Sequence, residues 1–261
     1  MHLREQDFYD HLAAFFDVMT DWQARLAYEM PFLLRLLGRP RQHVLDAACG
    51  TGWHSIARAQ AGHHVTGADI SAIMIEQAQA NARSRGVAVT FKQAAFHDLP
   101  AAVGTGFDAV LCLGNSLVHV LHEDDLRRSL TAMATCLRPG GLLVLHNLNY
   151  DKRMVGKPRW FQVNGGEMNG RETLVWRFAD YGDNLITFNI AVFQKDDAGR
   201  WTVQVQSTPQ RPWQSSELVG FVAGAGFADI ALYGNLAGEA YDCRISGDLV
   251  ITASRGQARS T

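Results

Sequence analysis

The chain has 261 residues, of which 47% are hydrophobic and 19% are charged, and its formal net charge is −2. This length suits one α/β domain with an insertion, and it is ample to bury a core without disulfides or metals. No basic stripe is longer than Arg39-Pro40-Arg41, which argues against nucleic acid binding through phosphate contacts. We therefore expect no nucleic acid partner.

The cysteine residues are far apart in sequence and form no CxxC pair. Their spacing argues against a zinc site and against a disulfide framework, and it fits a reducing compartment. The N-terminal stretch MHLREQDFYD is too charged for a signal peptide, and the apolar runs are too short to span a bilayer. We therefore expect a cytoplasmic protein with no bound metal and no membrane partner.

Apolar runs and helical stretches alternate through the first two thirds of the chain. Residues 8–37 have helical spacing, with Pro31 expected to start a second helix. Ser71 is placed to cap a later helix. The alternation predicts a mostly parallel sheet with helices on both faces. The predicted strands are 44–48, 64–68, 87–91, 107–113, 142–146, 227–233 and 249–253, and the predicted helices are 53–61, 72–85, 123–137 and 215–224.

The pattern changes after residue 157. Residues 171–180, 184–195 and 200–208 are rich in Thr, Val, Phe and Trp and are separated by turn signals, which predicts a three-stranded antiparallel meander. We interpret it as a lid inserted in the α/β core. The predicted domains are an N-terminal helical cap, a core with a seven-stranded sheet in two segments, and the antiparallel β lid, at 1–42, at 43–157 with 209–261, and at 158–208.

The strongest local motif is the turn after the first predicted strand. Residues 44–52 read VLDAACGTG, in which Ala48, Gly50 and Gly52 follow Asp46 as D-x-A-x-G-x-G. Small residues there let a ligand approach the backbone closely. The pattern lacks the GxGxxG fingerprint of dinucleotide enzymes, which disfavours a nicotinamide oxidoreductase.

A second signal is Asp69, at the end of the second predicted strand. A carboxylate at this position accepts hydrogen bonds from the ribose hydroxyls of an adenosine. The alternative is that Asp69 only caps the next helix. Ser71 fills the cap position better, so we favour ribose binding.

Together these motifs make residues 43–150 resemble class I S-adenosylmethionine methyltransferases, most nearly the glycine and glycine/sarcosine N-methyltransferases. The resemblance is carried by VLDAACGTG at 44–52, LGNS at 113–116 with His119, and NYD at 149–151. RPGGLLV at 138–144 also matches but is too widespread to discriminate. The resemblance implies a Rossmann-like core, S-adenosylmethionine as cofactor and a small-molecule acceptor, and it leaves homo-oligomerisation open.

The resemblance also implies a set of cofactor-binding residues. Among them, Arg25 would pair with the cofactor carboxylate, although a solvated helix arginine is an equal alternative. Tyr9 lies in an apolar stripe with Trp22, and His119 lies in an apolar run, so both also fit core positions. The full set is Tyr9, Arg25, Asp46, Ala48, Gly50, Gly52, Asp69, Ile70, Met74, Ala95, Phe96, Leu113 and His119.

The acceptor site is predicted from fewer residues. Asn115 and His119 are the catalytic candidates, because an amine must arrive neutral and a polar group can orient it or accept its proton. Asn115, Tyr150 and Arg211 are expected to bind the acceptor, although Arg211 equally fits a solvated loop position. Leu148 stands where the glycine methyltransferases carry the arginine that holds glycine's carboxylate.

The resulting hypothesis is N-methylation of an amine or amino-acid-like acceptor other than free glycine. Two alternatives remain open at this point. One is a small-molecule O-methyltransferase, which would use the same cofactor site. The other is a protein that binds S-adenosylmethionine without catalysis, against which the Asn115-Ser116 motif and the predicted lid argue only moderately.

Overall fold

The computed structural model describes residues 8, 10, 13 and 15–256, which form two β-sheets with flanking helices. The strands are β1 His43–Ala47, β2 His64–Asp69, β3 Thr90–Gln93, β4 Phe107–Cys112, β5 Leu137–Leu148, β6 Asn164–Met168, β7 Arg171–Tyr181, β8 Ile186–Lys195, β9 Trp201–Gln210, β10 Phe227–Tyr233 and β11 Asp248–Arg255. The α-helices are α1 Trp22–Leu37, α2 Trp53–Gln60, α3 Ala72–Ser84, α4 Leu99–Val103, α5 Glu123–Cys136, α6 Tyr150–Gly156 and α7 Ser215–Gly224. Short 3₁₀ helices cover Phe96–Asp98 and Ser116–His119.

The larger sheet has seven strands in the order β10-β11-β5-β4-β1-β2-β3. Strands β1 to β5 run parallel, and β11 is antiparallel to both β5 and β10. The central strands read as continuous apolar runs because helices cover both faces. This confirms the predicted fold class, a Rossmann-like, mostly parallel seven-stranded sheet with a separate antiparallel sheet.

Pro31 does not start a helix, so that prediction was wrong. Helix α1 begins at Trp22, where the Asp21 side chain accepts a hydrogen bond from the backbone N–H of Ala24. It then runs through Pro31 to Leu37. A proline inside a helix removes one backbone hydrogen bond, and here the burial of an apolar helix face against the sheet offsets that loss.

Two strand boundaries also differ from the prediction. The third strand is Thr90–Gln93 and not 87–91, and it pairs in parallel with Thr66–Asp69 of β2. Strand β5 is Leu137–Leu148 and not 142–146, so it includes the segment Arg138-Pro139-Gly140-Gly141. The strand is irregular there, with Gly140 at φ 72° and a register shift opposite β4. The Ser71 cap of α3 is confirmed by its bond from the backbone N–H of Met74.

The second sheet is antiparallel and has four strands, in the order β6-β7-β8-β9. The sequence predicted only the last three. Strand β6 was missed because its sequence, NGGEM, has two glycines and no run of branched residues. Among the described residues, no helix is long and apolar enough to cross a membrane.

Candidate active site

The carboxyl ends of β1, β2 and β4 surround a cavity of about 420 Å³. Parallel sheets place ligands at this edge. Most of the predicted cofactor residues line this cavity, which we call the donor cavity; they are Arg25, Asp46, Ala48, Gly50, Asp69, Ile70, Met74, Ala95, Phe96, Leu113 and His119. Tyr9 lies outside the described residues.

The turn between β1 and α2 exposes its backbone to the donor cavity. Ala48 and Gly50 both have left-handed backbone conformations, with φ of 66° and 54°. Gly52 was predicted to contact the cofactor but does not line the cavity. A Cβ atom there would come within 2.9 Å of the Ala78 Cβ, so this glycine allows α3 to pack closely against the turn.

Asp69 lies at the floor of the donor cavity and is almost fully buried. Its Oδ2 accepts a bond from the backbone N–H of Gly50 at 2.8 Å, and its Oδ1 accepts one from Ser71 at 3.0 Å. Burial raises the pKa of this carboxyl to about 6, although the two backbone donors oppose the shift. A buried carboxylate held in this way keeps free lone pairs for hydroxyl donors, which fits the predicted ribose site.

Asp46 contributes mainly to the structure of the site. Its Oδ2 accepts a 2.6 Å bond from the Ser55 hydroxyl and forms an ion pair with the fully buried Arg58. Both partners lie on α2, so the carboxylate fixes this helix to the end of β1. Removing one partner of such a buried pair is strongly destabilising.

Arg25 lies between the donor cavity and a second cavity. Its Nε donates to Glu29 at 2.9 Å, and the other oxygen of Glu29 is 2.5 Å from His54 Nε2. Burial alone would raise the pKa of Glu29, but the His54 hydrogen bond and the charge of Arg25 lower it to about 2. The Arg25 guanidinium is thereby held in place with its terminal nitrogens left for another anion, as the carboxylate of a cofactor requires.

The second cavity measures about 390 Å³ and lies between the ends of β4 and β5 and the antiparallel sheet. We call it the acceptor cavity. It shares four lining residues with the donor cavity, namely Phe16, Arg25, Gly114 and His119. The two spaces therefore adjoin across this shared wall.

Asn115 lines the acceptor cavity, but its amide is engaged within the protein. Its Oδ1 accepts a bond from the backbone N–H of Leu148, and its Nδ2 donates to the Tyr150 hydroxyl, both at 3.0 Å. Burial raises the pKa of Tyr150 to about 12. The hydroxyl of Tyr150, which also lines the cavity, is thus fixed in orientation and remains protonated.

His119 lines both cavities. Burial lowers its pKa to about 4, so the imidazole is neutral near pH 7. The predicted pair of catalytic candidates is therefore found together at the acceptor side, with Asn115 orienting Tyr150 and His119 forming part of the shared wall.

Arg211 does not reach either of these cavities, and its prediction as an acceptor-binding residue is not supported. Its guanidinium pairs with Glu217 at 3.2 Å and stacks on Trp213, 4.7 Å from the ring centroid. The backbone N–H of Arg211 donates to the carbonyl of Val118. Through these contacts Arg211 joins the end of β9 to α7, so it is not simply a solvated loop residue.

Sequence reasoning missed several lining residues of the two cavities, including Trp22, Arg153 and Arg177. Trp22 was assigned to the core, yet it lines the donor cavity beside Arg25. Arg153 and Arg177 line the acceptor cavity and were not singled out. Arg177 faces the cavity from β7, and neither a motif nor a helical period marks an arginine inside a strand-rich stretch.

The comparisons with known proteins agree with this geometry. Residues 44–141 match the methyltransferase domain family. Glycine/sarcosine N-methyltransferase of Parasynechococcus marenigrum is 35% identical over 175 residues, which is 66% of this chain and 61% of that protein. Glycine N-methyltransferase of Rattus norvegicus is 38% identical over 148 residues, 50% of this chain and 49% of that protein. The chain therefore matches less than two thirds of the length of these relatives.

The fold also matches that of solved methyltransferase structures. An S-adenosylmethionine-dependent methyltransferase from Clostridium acetobutylicum superposes with a TM-score of 0.74 over 96% of this chain and 98% of that chain, at 16% identity. The predicted resemblance to class I methyltransferases, and among them to the glycine and glycine/sarcosine N-methyltransferases, is confirmed. The protein from Clostridium acetobutylicum is named as dependent on S-adenosylmethionine, the cofactor that the sequence predicts here.

Proposed function

We propose that this chain transfers a methyl group from S-adenosylmethionine to the nitrogen of a small amine or amino-acid-like acceptor other than free glycine. The observation that carries this proposal is the shared wall of Gly114, His119, Arg25 and Phe16 between the donor and acceptor cavities. Methyl transfer requires two bound molecules whose reacting atoms meet in line, and two cavities that share lining residues support such an arrangement.

The donor cavity fits S-adenosylmethionine by the chemistry of its residues. Asp69 would accept the ribose hydroxyls, Arg25 would hold the amino acid carboxylate, and the backbone at Ala48 and Gly50 would lie against the amino acid portion. Ala95 and Phe96 would flank the adenine. When bound, the cofactor supplies an electrophilic sulfonium methyl group.

The acceptor nitrogen then needs orientation more than activation. Its lone pair would form the new C–N bond while the electron pair of the broken C–S bond stayed on sulfur. A neutral amine would leave as a methylammonium ion, so no proton has to be removed during the transfer. The fixed hydroxyl of Tyr150, held by Asn115, would accept a hydrogen bond from the amine N–H.

His119 favours an amine over a hydroxyl as acceptor. A hydroxyl nucleophile needs a base to take its proton, and burial has lowered the pKa of His119 to about 4, which makes it a weak base. O-methylation is therefore the second candidate, and binding of S-adenosylmethionine without catalysis is the third.

The antiparallel sheet is the part of the chain that we propose as the lid. Residues from β7 and β8, including Ala179, Ile186 and Phe188, line the acceptor cavity, and Gln210 does so from the end of β9. In this proposal the chain has three parts, which are a cap at 1–42, a core at 43–157 with 209–261, and a lid at 158–208. The core binds the cofactor, and the lid selects the acceptor.

The test is an acceptor screen with amines, amino acids and hydroxylated metabolites. Formation of S-adenosylhomocysteine and a mass gain of one methyl group on nitrogen are the expected results. A methyl gain on oxygen would select the second candidate. Cofactor binding without turnover on any acceptor would select the third. Efficient methylation of glycine would contradict the exclusion drawn from Leu148.

A further inference from the structure

Arg177 is a half-buried arginine on β7 whose side chain reaches the acceptor cavity. One terminal nitrogen donates to Asn164 Oδ1 at 2.9 Å, which fixes the guanidinium from the neighbouring strand β6. Its Nε is buried and has no hydrogen-bond partner within the described part of the chain. Burial lowers the pKa of Arg177, and the nearby charge of Arg25 lowers it further.

Arg177 also has no carboxylate partner within the described part of the chain. No Asp or Glu among residues 15–256 lies within ion-pair distance of it. Two other arginines of this region are paired, Arg159 with Asp180 and Arg171 with Asp197. A desolvated guanidinium without a counter-ion is costly, and a carboxylate that binds it bidentately removes that cost.

The whole acceptor cavity has the same charge imbalance. Arg153 also lines it, with its guanidinium 4.8 Å from the Phe161 ring centroid and no carboxylate partner in the described residues. The cavity carboxylates are Glu29, which Arg25 and His54 already engage, and Asp248. The lining therefore carries more positive than negative charge and complements an anionic group.

Much of the uncharged lining of the acceptor cavity is apolar. A cavity of about 390 Å³ lies in the size range of pockets that bind drug-sized ligands, which is more space than glycine fills. Its apolar lining residues include Met19, Leu148, Phe161, Ile186, Phe188 and Ile190. An acceptor that fills this space buries an apolar group there.

We propose that Arg177 binds the carboxylate of the acceptor, and that the acceptor is an amino acid with an apolar side chain. This inference rests on the proposed function, because it assigns the acceptor of that same site. The carboxylate pairs with Arg177 on the lid side, the apolar side chain packs in the cavity, and the amine lies toward Tyr150 and the shared wall. An arginine on β7 thus takes the role for which Leu148 offers no donor.

The experiment measures acceptor binding separately from cofactor binding. Calorimetry first titrates S-adenosylhomocysteine into the protein, then titrates L-leucine and L-phenylalanine, or their amides, into the loaded protein. The amides keep the amine and the side chain but lack the carboxylate. We expect the amino acids to bind at least tenfold more tightly than the amides.

The variants are Arg177→Met and, as a matched loss of positive charge on the same strand, Arg171→Met. Arg177→Met should weaken amino acid binding at least tenfold and leave amide and S-adenosylhomocysteine binding unchanged, whereas Arg171→Met should change none of them. Because Arg177 is unpaired, Arg177→Met should unfold at no lower temperature than the unmodified protein, which checks that the variant is folded.

Three results would overturn the inference while leaving the proposed function standing. They are amides that bind as tightly as the amino acids, amino acid affinity that Arg177→Met does not alter, and S-adenosylhomocysteine binding without binding of either amino acid. Failure of S-adenosylhomocysteine to bind would instead overturn the proposed function and this inference together.

Discussion

At the scale of single residues, Asp69 carries the largest share of the proposed cofactor recognition. Replacing it with Ala should remove two charge-assisted hydrogen bonds, each worth about 1.5–3 kcal/mol, so the affinity for S-adenosylmethionine should fall at least tenfold. Asp124→Ala, on the exposed face of α5, is the control and should leave the affinity unchanged. Unchanged affinity in a folded Asp69→Ala variant, measured by calorimetry, would remove the ribose assignment.

The raised pKa of Asp69 predicts a pH dependence. In the free protein this carboxyl has a pKa of about 6, and hydroxyl donors stabilise its ionised form. Cofactor binding therefore lowers the pKa, and affinity is full above pH 6 and falls as the pH drops through 6. Calorimetric titrations between pH 5 and pH 8 measure this, and the Asp69→Asn variant should lose the dependence. A flat profile in the unmodified protein would contradict the role of the carboxylate.

At the scale of elements, β8 is predicted to affect the acceptor and not the cofactor. Phe188 lines the acceptor cavity and contacts Phe161 edge to face at 5.9 Å. Phe188→Ser should raise the KM for the acceptor several-fold and leave S-adenosylmethionine affinity unchanged. Phe193→Ser, a half-buried position on the same strand outside this cavity, is the control. Equal effects of the two variants would argue against the lid.

The pairing of β2 with β3 depends on a glycine, Gly67, which leaves room for a neighbouring ring. Gly67 is paired with Phe91, and a Cβ atom on Gly67 would lie 2.7 Å from that ring and 3.0 Å from Cys49 Sγ. Gly67→Ala should destabilise the protein by about 1–3 kcal/mol through overpacking, which thermal unfolding would show as a lower midpoint. Gly220→Ala, in α7 with nothing within 4 Å of the new Cβ, should be neutral or stabilising. A midpoint that Gly67→Ala does not lower would show that the ring shifts freely.

At the scale of the whole molecule, the parallel sheet was predictable because its strands are buried apolar runs with clear turn signals. The donor cavity was predictable for the same reason, since Ala48, Gly50 and Asp69 follow strand ends that meet at one edge. Strand β6 was not, because its glycines carry no strand signal. The proposed role of Arg177 was not predictable from the sequence. It depends on the absence, within residues 15–256, of a carboxylate partner near the guanidinium, and only the folded structure shows that.

The central claim is that S-adenosylmethionine binds in the donor cavity with its sulfur at the wall shared with the acceptor cavity. A crystal structure of the S-adenosylhomocysteine complex tests it directly. The account predicts ribose hydroxyls on Asp69, the carboxylate on Arg25 and the sulfur beside Gly114 and His119, facing the acceptor cavity. A bound molecule whose sulfur faces away from that cavity, or whose ribose does not contact Asp69, would contradict it.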